Sequence, residues 1–317
     1  MRDSKPAGKG TSQRLGALGW LLFLGVALLA VYTPLLRAIG LAAVTVSQLN
    51  TGGLLVIFAF ALCLHDALHD LRIEFRVGNY GLYLLGGGIA AMFLAARWTG
   101  AALPLMLGSF SCCFLAAVSF VFGRVGVRRF RPAVAGLVAL GLMAGLFPTL
   151  DWPLRALAAK YAASLLHHFG LPVHLALAAQ RAPALLIELR GHFFEVAAEC
   201  NGFGLLTSSL VAAAMLTFVY RLRWFRKIAL LVFGALLALG ANFLRIVTIC
   251  LLATRTTIPY ATLHESVGIL FYVAALAVLW LMARQAGEPP EMGPPPAGAA
   301  PSVPPGPAGG PGPSSAR

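Results

Sequence analysis

The chain has 317 residues, of which 59% are hydrophobic and only 11% charged, with a mean hydropathy of +0.83. Soluble domains carry about 25% charged residues, so this composition excludes an ordinary cytosolic enzyme and a wholly disordered chain. The formal net charge of +13 sits mostly in short loops between apolar runs, a membrane-topology pattern rather than a nucleic-acid-binding one.

A hydrocarbon core of about 30 Å needs about 20 apolar residues in a helix. Eight candidate spans follow in chain order: Leu15–Leu36, Gly52–Leu64, Tyr80–Ala96, Ala101–Phe122, Ala133–Leu150, Gly202–Tyr220, Ile228–Ala253 and Ser266–Met282. The first is too long to be a cleaved signal peptide, and more spans follow it. The chain therefore reads as an all-α, polytopic integral membrane protein. Residues 1–14 form an N-terminal segment, 15–284 the membrane domain, and 285–317 a Pro/Gly-rich tail whose composition predicts disorder.

Lysine and arginine set the orientation. The N-terminus and the loops after spans two, four and six hold fourteen basic residues, among them Arg124, Arg128, Arg129 and Arg131. The opposite loops hold seven, spread over longer segments. The positive-inside rule places both termini in the cytoplasm, as an even number of spans requires. The long segment 151–200 then lies outside. Within it, Leu154, Leu157, Tyr161 and Leu165 form one helical stripe, which predicts a helix lying on the membrane surface. Gly170-Leu-Pro breaks that pattern, and Leu185–Phe194 runs back towards the bilayer, either extended or as the start of a helix.

Ionisable groups at span ends are candidates for function, because burying them in lipid is costly. Cys200 opens span six and His264 precedes span eight. Arg245 lies about 26 Å along span seven, near its outer end. Three helices thus deliver a thiol, a guanidinium and an imidazole to one depth. Asn242, three residues before Arg245, shares its face. A thiolate is a strong nucleophile, a histidine can protonate a leaving amine, and an arginine can stabilise an oxyanion. Glu195 and Glu199, with His192, have the spacing of a helical face near Cys200, and the Glu199 carboxylate disfavours a thiolate beside it. His65 and His69, with Asp66 and Asp70, lack a third ligand from a second span, and the five cysteines form no CxxC pair. No metal site and no cofactor is expected.

In this order the motifs resemble the exosortase/archaeosortase family of membrane cysteine transpeptidases. Cys200-Asn201-Gly202 is similar to the family's Cys-Ser-Gly-like motif, Asn242-Phe-Leu-Arg245 to its Asn-x-x-Arg, and His264 with Gly268 and Phe271 to its last-span histidine. His168-Phe-Gly-Leu-Pro-Val173, Phe194-Glu-Val-Ala197 and Asn50-Thr-Gly-Gly53 add to the likeness, which covers Leu15–Arg284 and is strongest over Tyr161–Phe271. Two positions depart: Asn201 stands where many members have Ser, and Glu199 where a small residue is usual. They point to a divergent subgroup and leave the substrate motif open.

The resemblance implies an enzyme that cleaves a C-terminal sorting signal, PEP-CTERM-like, from secreted proteins through a thioester on Cys200. The freed carboxyl then passes to a surface acceptor. It further implies His264 as general acid/base, Arg245 as oxyanion or thiolate stabiliser, Asn242 as its orienting neighbour, and an active site outside the cytoplasmic membrane. The partners would be the secreted proteins and the lipid bilayer, with no nucleic acid. A different class also fits the composition: a non-enzymatic polytopic transport or assembly protein for exopolysaccharide, in which Arg245 would contact a phosphate or glycan and Cys200 would be dispensable.

Overall fold

The computed structural model describes residues 9–70, 76–178, 184–196 and 201–287. Seven α-helices and a small sheet follow one another: α1 (Lys9–Thr45), α2 (Ser47–Asp70), α3 (Asn79–Arg97), α4 (Ala102–His168), β1 (Val173–Ala178), β2 (Ala184–Leu189), β3 (His192–Glu195), α5 (Phe203–Val219), α6 (Trp224–Ala253) and α7 (Tyr260–Ala286). Apolar runs without water must satisfy their backbone groups internally, which is why they fold as helices. Six of the helices are long and apolar enough to cross a membrane, and α5 is a shorter apolar helix of 17 residues. The chain is a multi-pass membrane protein. Large side chains such as Phe23, Ile57, Phe58, Leu236 and Leu270 are more than 60% exposed on the bundle's outside. Such surface suits lipid and would be an aggregation liability in water.

The count differs from the eight spans read from the sequence. Spans four and five both fall within α4, whose 67 residues are two helices that meet at a kink. A straight helix of that length would measure about 100 Å, far beyond a bilayer core. The chain turns instead at Gly123, whose φ of 65° lies in the left-handed region that only glycine enters without strain. Arg124, Arg128, Arg129 and Arg131 follow at once, and helical geometry resumes through them.

The core is organised around α4 and α5. Helix α4 packs against α1, α2, α3, α5 and α6, and α5 is wrapped by α2, α4, α6 and α7. Polar groups in this interior pair across helices, as a low-dielectric setting demands. The Tyr32 hydroxyl on α1 lies 2.6 Å from Ser109 Oγ on α4, which donates to the Gly88 carbonyl of α3 at 2.7 Å.

Residues 154–168 are helical, as the sequence predicts, and form the end of α4. Leu157 and Tyr161 of the stripe are exposed, a face that suits lipid, while Leu154, Ala158, Ala159, Ala162 and Leu166 are buried. Small residues let this buried face approach the rest of the protein closely. Beyond it lies an antiparallel sheet in the order β1-β2-β3, with Val173 opposite Leu189 and Ile187 opposite Phe194. Arg190 and Gly191, both at positive φ, form the tight turn between β2 and β3. Ile187, Leu189 and Val196 bury against α4 and against Ile246, Val247 and Cys250 of α6. His192 and Glu195 consequently do not share a helical face. Their odd spacing on β3 turns them to opposite sides of the sheet. The Pro/Gly-rich tail expected to be disordered lies outside the described residues, apart from its first few positions at the end of α7.

Candidate active site

Three helix ends converge on the side of the bundle that carries the sheet. Helix α6 contributes Asn242 and Arg245, α7 contributes His264 and Gly268, and Asn201 and Gly202 lead into α5. Cys200 and Glu199 lie outside the described residues, so the thiol's position enters only through its bond to Asn201. Consecutive Cα atoms are about 3.8 Å apart.

Arg245 and His264 meet. Arg245 Nη2 lies 3.0 Å from His264 Nε2 and 3.4 Å from Nδ1. A guanidinium only donates, so the imidazole nitrogen facing it accepts. The pairing depends on Gly268, one turn beyond His264 on the same face. A Cβ there would stand 3.1–3.3 Å from the guanidinium atoms of Arg245, so the bare backbone makes the bed on which the arginine lies. The Arg245 Nε is buried and has no hydrogen-bond partner among the described residues. Tyr260 at the start of α7 packs 5.9 Å from the His264 ring, and Phe194 of β3 lies 6.4 Å from Tyr260, both as ring-centroid distances. This aromatic run connects the sheet to the histidine. Glu195, next to Phe194, is exposed.

Asn242 is 2% exposed and packs over Gly202. Gly202 is required there twice over. Its φ is 79°, and a Cβ would come within 2.7 Å of the Asn242 side-chain amide. That contact fastens the start of α5 to α6 one helical turn from Arg245. It sets Gly202 against the same helix that carries Arg245.

A polar group that sequence reasoning did not assemble lies on the other side of Asn201. The Asn201 amide, 1% exposed, donates from Nδ2 to Asp151 Oδ1 at 2.5 Å and accepts the Phe203 N–H on Oδ1 at 2.7 Å. Arg155 grips the same Asp151 carboxylate with two bonds, Nη2 to Oδ2 at 2.6 Å and Nε to Oδ1 at 3.2 Å. The i,i+4 spacing of Asp151 and Arg155 was a legible ion-pair signal; its link to Asn201, fifty residues on, was not. Between the end of α4 and α6 lies a cavity of about 290 Å³, walled by Leu154, Leu157, Ala158, Tyr161, Leu239, Gly240 and Phe243 and carrying the amides of Asn201 and Asn242.

His65 and His69 stack on α2, with ring centroids 6.1 Å apart. Among the described residues no three His, Cys, Asp or Glu side chains gather as a metal site would require.

No curated protein and no solved structure matches the chain. Residues 44–281 do match a protein family, described as Transmembrane exosortase (Exosortase_EpsH). The match spans most of the chain and takes in Asn201, Gly202, Asn242, Arg245, His264 and Gly268 together, and on that ground the protein belongs to the transmembrane exosortase family.

Proposed function

We propose that this exosortase is a cysteine transpeptidase or protease that cleaves a C-terminal, PEP-CTERM-like sorting signal from secreted proteins, with Cys200 as nucleophile. The observation that carries the reading is the Arg245–His264 pair at 3.0 Å, held within about one helical turn of the Asn242–Gly202 contact that begins α5. A thiol next to that junction has an acid/base and a fixed cation in reach. Both are parts that acyl transfer requires.

The chemistry runs in two halves. His264 takes the Cys200 thiol proton on the ring nitrogen that had accepted from Arg245, the thiolate adds to the scissile carbonyl, and the resulting oxyanion is stabilised by the guanidinium, whose Nε is a buried donor not committed to any described group. Collapse breaks the C–N bond, leaves a thioester on Cys200, and expels an amine that takes its proton from His264. An acceptor nucleophile or water then adds to the thioester, gives its proton to His264, and releases the thiolate. Arg245 also fixes the imidazole, and Asn242 supports the arginine's helix by anchoring it to α5. Glu199, next to Cys200 in sequence, adds a negative charge that opposes the thiolate, and Glu195 adds a further carboxylate on β3. No cofactor enters this chemistry.

On this reading the protein sits in the cytoplasmic membrane with both termini inside and the sheet outside. Substrates carrying a sorting motif, a membrane helix and a basic tail reach it there. The test is Cys200→Ala in the native host, with candidate surface proteins followed by blot. Unprocessed membrane-bound precursors should accumulate at normal enzyme abundance. Normal processing and surface display in that strain would discard the nucleophile and favour a transport or assembly role instead.

A further inference from the structure

The residue that follows the proposed nucleophile is held from two sides by groups the reaction itself does not use. Asn201 donates to Asp151 and accepts from the first amide of α5, and it is 1% exposed. Asp151 is locked in turn by the two bonds from Arg155, with side-chain exposures of 22% and 21% for the carboxylate and the guanidinium. Both charges keep only part of their exposure to solvent and so depend on each other. A bidentate Arg–carboxylate pair is also directional, so it fixes the carboxylate in place and not merely its charge. Arg155 further neutralises a carboxylate that would otherwise oppose a thiolate one residue from Asn201.

The amide at 201 fits this arrangement. A serine hydroxyl offers one short arm, whereas the asparagine amide has a separate donor and acceptor and bridges Asp151 to the Phe203 N–H at the same time. The asparagine at 201 is therefore matched by a partner on α4. Because Cys200 is bonded to Asn201, whatever fixes Asn201 fixes where the thiol's chain starts. A nucleophile misplaced by about 1 Å can cost about 10²-fold in rate.

We propose that Asp151, held by Arg155, is a positioning residue: through Asn201 it fixes the entry to α5 and so places the Cys200 thiol relative to Arg245 and His264. This rests on Cys200 being the nucleophile. Both can be tested together in host membranes carrying the full-length chain at matched enzyme abundance. Turnover of a tagged precursor is measured at several precursor levels for Asp151→Ala, Asp151→Asn, Asn201→Ala, the Asp151→Ala/Asn201→Ala double variant, and Cys200→Ala.

Asp151→Ala is expected to lower kcat about 10- to 100-fold with KM within about twofold, because chemistry rather than binding loses its alignment. Asp151→Asn keeps an acceptor oxygen for Asn201 and should restore most of the rate. The double variant should be no slower than Asn201→Ala alone, as for two residues acting through one contact. An unchanged kcat in Asp151→Ala, or losses that multiply in the double variant, overturns the positioning role. Should Asp151→Ala fail to accumulate, Arg155→Gln carries the test: it frees the carboxylate, and a kcat equal to wild type overturns the role. Cys200→Ala that still processes precursor sinks the nucleophile itself; an inactive Cys200→Ala beside a fully active Asp151→Ala sinks only the positioning role.

Discussion

Lysine cannot stand in for arginine at position 245. The guanidinium reaches His264 with Nη2 while its Nε stays buried and uncommitted, a fork that a single ammonium cannot reproduce. Arg245→Lys is expected to lower precursor processing by about 10²-fold or more, the scale of losing an oxyanion donor, with protein abundance near wild type. Pulse-chase of a tagged precursor measures this, and near-normal processing would remove Arg245 from the chemistry. Gly268→Ala probes the same pair from beneath. The added methyl lands 3.1–3.3 Å from the guanidinium and shifts it by a few tenths of an ångström relative to His264, so processing should fall about tenfold although α7 gains a better helix former. A rate equal to wild type would mean that the arginine has room to move without consequence.

At the scale of elements, the junction into α5 concentrates the constraints. Gly202→Ala forces a methyl into the left-handed region and against the Asn242 amide, so it should cost about 1–3 kcal/mol and lower the thermal midpoint of the purified protein in detergent. An unshifted midpoint would mean that α5 and α6 do not depend on this contact. The sheet is held by Ile187, which is fully buried against α4 and α6. Ile187→Ala should cost about 2–5 kcal/mol by the same measurement. These elements were unequally legible. Apolar runs such as Ile228–Ala253 announce a helix because lipid leaves no alternative. The strands did not announce themselves: Val173–Ala178 is a six-residue alternation with small alanines, and Leu185–Phe194 is apolar enough to pass for a helix start. The Arg190-Gly191 turn was the available signal. The end of span four was legible, because the helix breaks at Gly123 directly after Phe122; the basic stretch after it was read as a loop and is helical. Arginine is a good helix former, and only Gly123 interrupts the geometry.

Across the whole molecule, Arg245 and His264 were legible as candidates, and the structure sets them 3.0 Å apart; Cys200 lies outside the described residues. Cys200, Arg245 and His264 stand out because a chain with so few charges has little reason to keep a cation and an imidazole at span ends. What could not be read were contacts between distant segments. The Asp151–Asn201 bond joins residues fifty apart, and Phe194 is linked to His264 through Tyr260. The overall polarity remains a proposal with a direct check. Single cysteines introduced at Arg128 and at Gly191, in an otherwise cysteine-free chain, should be labelled by an impermeant maleimide only at the second position in intact cells. Labelling of the first would invert the topology and put the site in the cytoplasm. The central claim is that an acyl group of the substrate passes through Cys200. Membranes bearing the full-length protein, mixed with a tagged precursor and quenched in acid, should yield a hydroxylamine-labile adduct that mass spectrometry maps to Cys200. Its accumulation should rise when the acceptor is withheld. Processing of the precursor with no such adduct at any time point would contradict the account.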